Sequence, residues 1–142
     1  DLRTSPDVQL LRQPSPPVLL ATREDIGAGK SLRQVQGIDI IGLPMTEEGQ
    51  LDLRSLLAYL ANRHDATNDL VEGGAVLIGS MLRQNLVDQL IVFQAPKIIG
   101  DSDAISSVRG LSCPTIGQTL STVLRSVNRV GDDLMLDYRV IC

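Results

Sequence analysis

Short apolar runs alternate along this chain with stretches of helical period, and that alternation narrows the fold more than any other feature. Pro17 to Thr22 (PVLLAT), Ile38 to Leu43 (IDIIGL) and Leu90 to Phe93 (LIVF) have the length and apolar character of buried strands. Between them Leu53, Leu56, Leu57 and Leu60 repeat at i, i+3, i+4 and i+7, with Asp52 placed to cap a helix running to about His64. A further strand is expected to end over Asp69 to Glu72. A second helix then runs from Gly74 to about Gln84, its buried stripe marked by Ala75, Ile78, Leu82 and Leu86 and its end by a left-handed Asn85. Near the end Leu134, Leu136, Tyr138 and Val140 alternate with Met135, Asp137 and Arg139. They pair with a strand around Val123 to Arg129 across Gly131-Asp132-Asp133. The pattern predicts an α/β fold: a mixed, mainly parallel sheet flanked by helices and closed by an antiparallel hairpin.

Composition excludes several classes of function. At 142 residues the chain fits one domain, able to bury roughly two thirds of its unfolded surface. A net charge of −4, with Phe93, Tyr59 and Tyr138 as the only Phe, Tyr or Trp residues, argues against a nucleic-acid partner, which asks for a basic face and stacking rings. No apolar run approaches the ~20 residues of a membrane span, and no basic-then-apolar leader is present, so a cytoplasmic location is expected. Cys113 and Cys142 form no CxxC and no Cys/His cluster, so no metal site is expected and two isolated thiols are the plainer reading. The opening Asp1-Leu2-Arg3-Thr4-Ser5-Pro6-Asp7 reads as an entry into the middle of a domain.

Gly27-Ala28-Gly29-Lys30-Ser31 imitates the end of a phosphate-binding P-loop, but the glycine needed five residues before Gly29 is Glu24, whose carboxylate would repel a triphosphate. A surface loop is the better reading. His64, the single histidine, stands where a cation suits a helix C-terminus. Asp88 and Lys97, on either side of a strand, read as structural. No Ser/His/Asp or Cys/His constellation is present, and the catalytic proton donor stays unassigned.

The segment Val71-Glu72-Gly73-Gly74-Ala75-Val76-Leu77-Ile78-Gly79-Ser80 carries the candidate site. Two glycines before a helix let the backbone approach a ligand without a β-carbon in the way, and the helix start directs free N–H groups at that spot. Gly79, one turn in, leaves room for something close to the helix. The spacing is not GxGxxG, so the residues leave two readings open: a phosphate site, or a tight turn with a packing glycine. Glu72 cannot serve a phosphate. It either accepts hydrogen bonds from a donor-rich second ligand or stabilises the helix start.

Three motifs in fixed order then resemble one family. Glu72-Gly73-Gly74, Leu86-Val87-Asp88-Gln89-Leu90 and Ala95-Pro96-Lys97-Ile98-Ile99-Gly100 resemble the Glu-Gly-Gly turn, the Leu-Val-Asp-Glu-Leu segment and the Ala-Pro-Lys-Leu-Leu-Gly segment of the reductase domain of the riboflavin-biosynthesis deaminase/reductase family. The opening DLRTSPDVQLL and the Arg129–Val140 end are similar as well. Gln89 departs from the usual Glu, and Asn85 stands where a Gly is common. The resemblance implies a dihydrofolate-reductase-like fold, a homodimer, and a single, partial reductase domain over residues 1–142 whose first strands would precede Asp1, leaving the isolated piece inactive. It also implies NADPH-dependent reduction of 5-amino-6-(5-phosphoribosylamino)uracil at C1′ of its ribose. On this reading Glu72 contacts the substrate, and Gly74, Ala75, Val76, Leu77, Ile78, Gly79 and Ser80 contact NADPH. Two alternatives stay open: a related reductase acting on another pteridine- or pyrimidine-like substrate, and a noncatalytic oligomerisation module that keeps the fold.

Overall fold

The computed structural model describes residue 9 and residues 17–26 and 38–141. The P-loop-like segment 27–31, the expected helical turn from Leu32, most of the N-terminal segment and Cys142 lie outside the described residues. The chain forms two compact units, Asp1–Asp69 and Leu70–Cys142.

In the first unit, strand β1 (Val18–Arg23) pairs in parallel with β2 (Ile38–Leu43), in register from Val18 opposite Ile38 to Arg23 opposite Leu43. Leu43 is buried at the end of β2. The turn after β1 folds back onto this end: the Glu24 N–H donates to the Leu43 carbonyl at 3.0 Å, and a β-carbon on Gly42 would lie 2.7 Å from the Glu24 Cα. Helix α1 (Leu53–His64) begins at the expected residue. Asp52 Oδ1 accepts from the backbone N–H of Arg54 at 3.0 Å and of Ser55 at 3.4 Å, and Oδ2 accepts from the Ser55 hydroxyl at 2.6 Å. Such a cap contributes about 0.5–2 kcal/mol. Leu53 is buried, and Leu56, Leu57 and Leu60 are half-buried on the same stripe. Asp65 ends the helix in the left-handed region (φ 51°), donating its N–H to the Leu60 carbonyl.

In the second unit, helix α2 (Ala75–Arg83) precedes strand β3 (Gln89–Gln94), a 3-10 turn at Ile116–Gln118, and the hairpin of β4 (Ser121–Val130) and β5 (Asp133–Ile141). The sheet order is β3-β5-β4 and both pairings are antiparallel. Gly131, at φ 62°, supplies the positive φ that a two-residue hairpin loop needs, and Val130 opposite Asp133 closes it. A bulge at Arg125 interrupts the register between Leu124 and Ser126. Met81, Leu82 and Val140 are the buried apolar residues among those described in this unit, and the Val140 N–H donates to the Asp88 carbonyl at 3.1 Å.

The fold is mixed α/β, as the pattern predicted, with the two kinds of pairing held in separate sheets among the described residues: parallel in β1-β2 and antiparallel in β3-β5-β4. Two local expectations fail. No strand forms over Asp69 to Glu72: Leu70 and Val71 are the only apolar residues between Ala66 and Ala75, both are exposed, and neither pairs with a strand among the described residues. Nor is β3 fully buried, because Ile91 and Phe93 alternate with the half-buried Leu90 and Val92 and face outward. Asn85 does adopt the left-handed conformation (φ 53°) behind α2. Asp88 is structural, 3.3 Å from the Arg139 guanidinium.

Candidate functional site

Helix α2 begins at Gly74, whose extended backbone (φ −73°, ψ 166°) any residue could adopt. What distinguishes Gly74 is space: a β-carbon there would meet nothing within 4 Å. Its carbonyl accepts from the N–H groups of Leu77 at 3.0 Å and Ile78 at 3.2 Å, closing the first turn. Helix geometry leaves the N–H groups of Ala75 and Val76 without an intrahelical acceptor. These two amides, beside an open glycine, form an anion-accepting corner. Val76 is 62% exposed and Leu77 39%, so the corner also offers apolar surface. Gly73 differs from its neighbour, since a β-carbon there would fall 2.6 Å from Leu77 Cδ2. Glu72 is exposed and lies in irregular chain two residues before the N-cap.

Gly79 and Ser80 are buried. The room that Gly79 leaves is filled by the chain itself: a β-carbon at Gly79 would stand 1.7 Å from the carbonyl oxygen of Arg109. That segment is pinned beside the helix start, where the Arg109 N–H donates to the Ala75 carbonyl at 2.9 Å. One turn after Gly79, Arg83 Nη1 donates to the Gly110 carbonyl at 2.8 Å. The candidate cofactor residues thus divide in two. Gly74, Val76 and Leu77 are exposed, with Ala75 half-buried beside them, while Gly79 and Ser80 face the protein interior and Ile78 is half-buried between the two groups.

A second opening escaped the sequence reading. A cavity of about 500 Å³ lies beyond the carboxyl ends of β1 and β2, lined by Arg23, Glu24, Asp25, Leu43, Pro44 and Met45. The general rule that α/β sheets bind ligands past the strand ends was the signal available for it. Among the described lining residues the cation is Arg23, and it is engaged: Arg23 Nε donates to Asp25 Oδ1 at 2.9 Å, and Nη2 pairs with Oδ2. The hydrogen bond raises the Arg23 pKa and lowers that of Asp25. Among the described lining residues Glu24 adds a further carboxylate beside this pair.

His64 is exposed in the last turn of α1, its ring tilted against Tyr59 at a centroid distance of 5.8 Å. Cys113 is an exposed free thiol, with Sγ 3.6 Å from the Gln118 carbonyl. Among the described residues, no group of three or more His, Cys, Asp or Glu side chains could hold a metal ion, and no helix is long and apolar enough to cross a membrane.

Comparison with known proteins places the chain. The family described as RibD C-terminal domain matches residues 1–136. The riboflavin biosynthesis protein RibD of Actinobacillus pleuropneumoniae is 29% identical over 142 residues, covering 99% of this chain and 37% of that protein. A 2,5-diamino-6-ribosylamino-4(3H)-pyrimidinone 5′-phosphate reductase of Methanothermobacter thermautotrophicus is 35% identical over 71 residues, half of this chain and 33% of that protein. Among solved structures, RibD of Acinetobacter baumannii superposes with a TM-score of 0.79 at 21% identity, over 99% of this chain and 36% of that one. The chain thus spans little more than a third of the length of the RibD relatives it matches. The structural likeness carries the fold, a mixed α/β arrangement of the dihydrofolate-reductase-like kind. The family match, extending over nearly every residue, carries the assignment: the chain belongs to the RibD C-terminal domain family.

Proposed function

We propose that this chain is the reductase-domain segment of a riboflavin-biosynthesis enzyme, which reduces 5-amino-6-(5-phosphoribosylamino)uracil to its ribitylamino counterpart with NADPH. The observation that carries the reading is the RibD C-terminal domain match over residues 1–136. The same match supports treating residues 1–142 as one segment of a single domain. When bound, NADPH supplies the hydride that C1′ of the ribose receives.

The corner at Gly74 fits such a cofactor. The Ala75 and Val76 amides donate to a phosphate oxygen, and the α2 dipole favours the negative charge there. The side-chain-free face of Gly74 lets the phosphate approach the backbone. Val76 and Leu77, exposed beside it, offer apolar surface to the non-phosphate parts of the ligand. Glu72, exposed ahead of the turn, accepts hydrogen bonds from donor groups of the substrate and so orients it. Burial of Gly79 and Ser80 favours a supporting role for both in place of direct cofactor contact.

A second reading of the substrate is the 2,5-diamino-pyrimidinone phosphate named for the Methanothermobacter relative, favoured by its 35% identity over half of this chain. Homodimerisation is the matching proposal for assembly. It is supported by one outward sheet face on which Ile91, Phe93, Val123 and Ile141 share a side and are each about half or more exposed. A cytoplasmic location follows from the need for reduced nicotinamide cofactor. To test the activity, each phosphoribosylamino substrate is offered to the full-length protein with NADPH, and loss of the reduced-nicotinamide absorbance is followed. Turnover of the uracil is expected; no oxidation of NADPH with either compound overturns the reading.

A further inference from the structure

We propose that the strap Val108–Gly110 is a positioning element for the cofactor-binding turn of α2, with Gly79 as its seat and Arg83 as its latch. This rests on the reading above, in which the Gly74–Val76 corner receives a cofactor phosphate.

Helix α2 needs such a device. It has nine residues and an N-cap, Gly74, that contributes no side-chain hydrogen bond. Helices shorter than about 12–15 residues are marginal on their own, and an uncapped first turn frays. Fraying would scatter the Ala75 and Val76 amides, and a ligand would have to order them on binding at a cost in affinity. A side-chain cap at Gly74 would steady the turn but would occupy the space through which the ligand approaches.

The strap supplies the restraint from the other side. It meets α2 at Ala75, Gly79 and Arg83, residues four apart that form one stripe of the helix. The Arg109 N–H bonds the Ala75 carbonyl at 2.9 Å, and the Arg109 carbonyl fills the β-carbon position of Gly79. Arg83 Nη1 bonds the Gly110 carbonyl at 2.8 Å. Gly110, at φ 86°, turns the chain away past the latch. The loop from Ala95 to Thr115 contains no helix or strand, so contacts of this kind decide where it lies. Ser106 Oγ adds one by donating to the Val108 carbonyl at 2.8 Å. Gly79 on this account serves the cofactor through the strap and does not touch it.

The test uses full-length protein carrying Arg83→Met, which keeps the aliphatic stem but loses the donor, beside Arg83→Lys, which restores one. Gly79→Ala is a harsher variant that risks misfolding, and the Arg83 pair keeps the test decisive without it. NADPH affinity is measured by titration, substrate KM at saturating NADPH, and exchange of the Arg109 amide by hydrogen–deuterium exchange. Arg83→Met is expected to speed Arg109 exchange and weaken NADPH about tenfold, with substrate KM unchanged, and Arg83→Lys to recover most of the loss. Faster exchange with unchanged NADPH affinity overturns the proposal, as does unchanged exchange. Equal loss of cofactor and substrate binding, or failure of Arg83→Lys to rescue, marks a structural role only and also overturns it. Gly74→Ser separates the two levels: NADPH affinity unaffected by that change sinks the underlying cofactor reading, whatever the strap does.

Discussion

The carbonyl oxygen of Arg109 occupies the place where a β-carbon of Gly79 would stand, 1.7 Å from the ideal position, and the amide of the same residue bonds the Ala75 carbonyl one turn earlier. A loop crossing thirty residues downstream therefore dictates a glycine inside a helix. Ala would ordinarily stabilise a helix interior by about 0.5–1 kcal/mol over Gly. Here the obstacle is backbone, so the strap or the helix must shift, and overpacking of this kind costs about 1–3 kcal/mol. Gly79→Ala is expected to lower the urea midpoint with little change in slope; a rise in stability would contradict the packing.

Gly74 makes the opposite prediction. Its backbone is ordinary and its β-carbon position empty, and serine is a better N-cap than glycine. Gly74→Ser is expected to hold or slightly raise the thermal midpoint while weakening NADPH binding about tenfold or more. A stable variant with full cofactor affinity would detach the corner from function.

Asp52 links the start of α1 to pH. The Ser55 hydroxyl, followed by the Ser55 and Arg54 backbone N–H groups, holds its carboxyl below the ordinary value of 3.8. A depressed folded-state pKa means that the unfolded chain binds more protons as pH falls through this range. The contribution is therefore present above about pH 4 and is lost as pH falls through the lower, folded-state value. Asp52→Ala is expected to cost about 0.5–2 kcal/mol at neutral pH. Asp52→Asn should retain much of the cap and flatten the acid limb of stability against pH, read by denaturant melts at several pH values.

Gln89 explains a departure from the family pattern. Its Nε2 donates to Asp137 Oδ1 at 2.9 Å, across β3 and β5 on one sheet face. Glutamate there would face Asp137 as a like charge, partly offset by Arg139 directly opposite. Gln89→Glu is expected to destabilise by about 0.2–1 kcal/mol, the scale of a cross-strand pair, and more at low salt. Paired melts at two ionic strengths check both points.

What the sequence made legible was local. The Asp52 cap, the leucine stripe of α1, the start of α2, the left-handed Asn85 and the closing hairpin each depend on neighbours a few residues away. What it concealed depends on distant chain. Leu70 and Val71 read as strand residues, but neither pairs with a strand among the described residues. Residues 90–93 look uniformly apolar, so nothing in them reveals that Ile91 and Phe93 face outward once β3 pairs with β5. Gly79 invited a ligand, yet only the placement of Arg109 shows what fills the space. Of the candidate site, the corner at Gly74 was readable from two glycines before a helix; the buried setting of Gly79 and Ser80 was not.

The central claim, a cofactor at the Gly74 corner with Glu72 serving the substrate, is tested most directly by titrating NADPH into the full-length protein and its Glu72→Gln variant while measuring turnover. The account predicts cofactor affinity within about twofold of the parent and turnover lowered about tenfold or more. Lost NADPH affinity with intact substrate binding would contradict it.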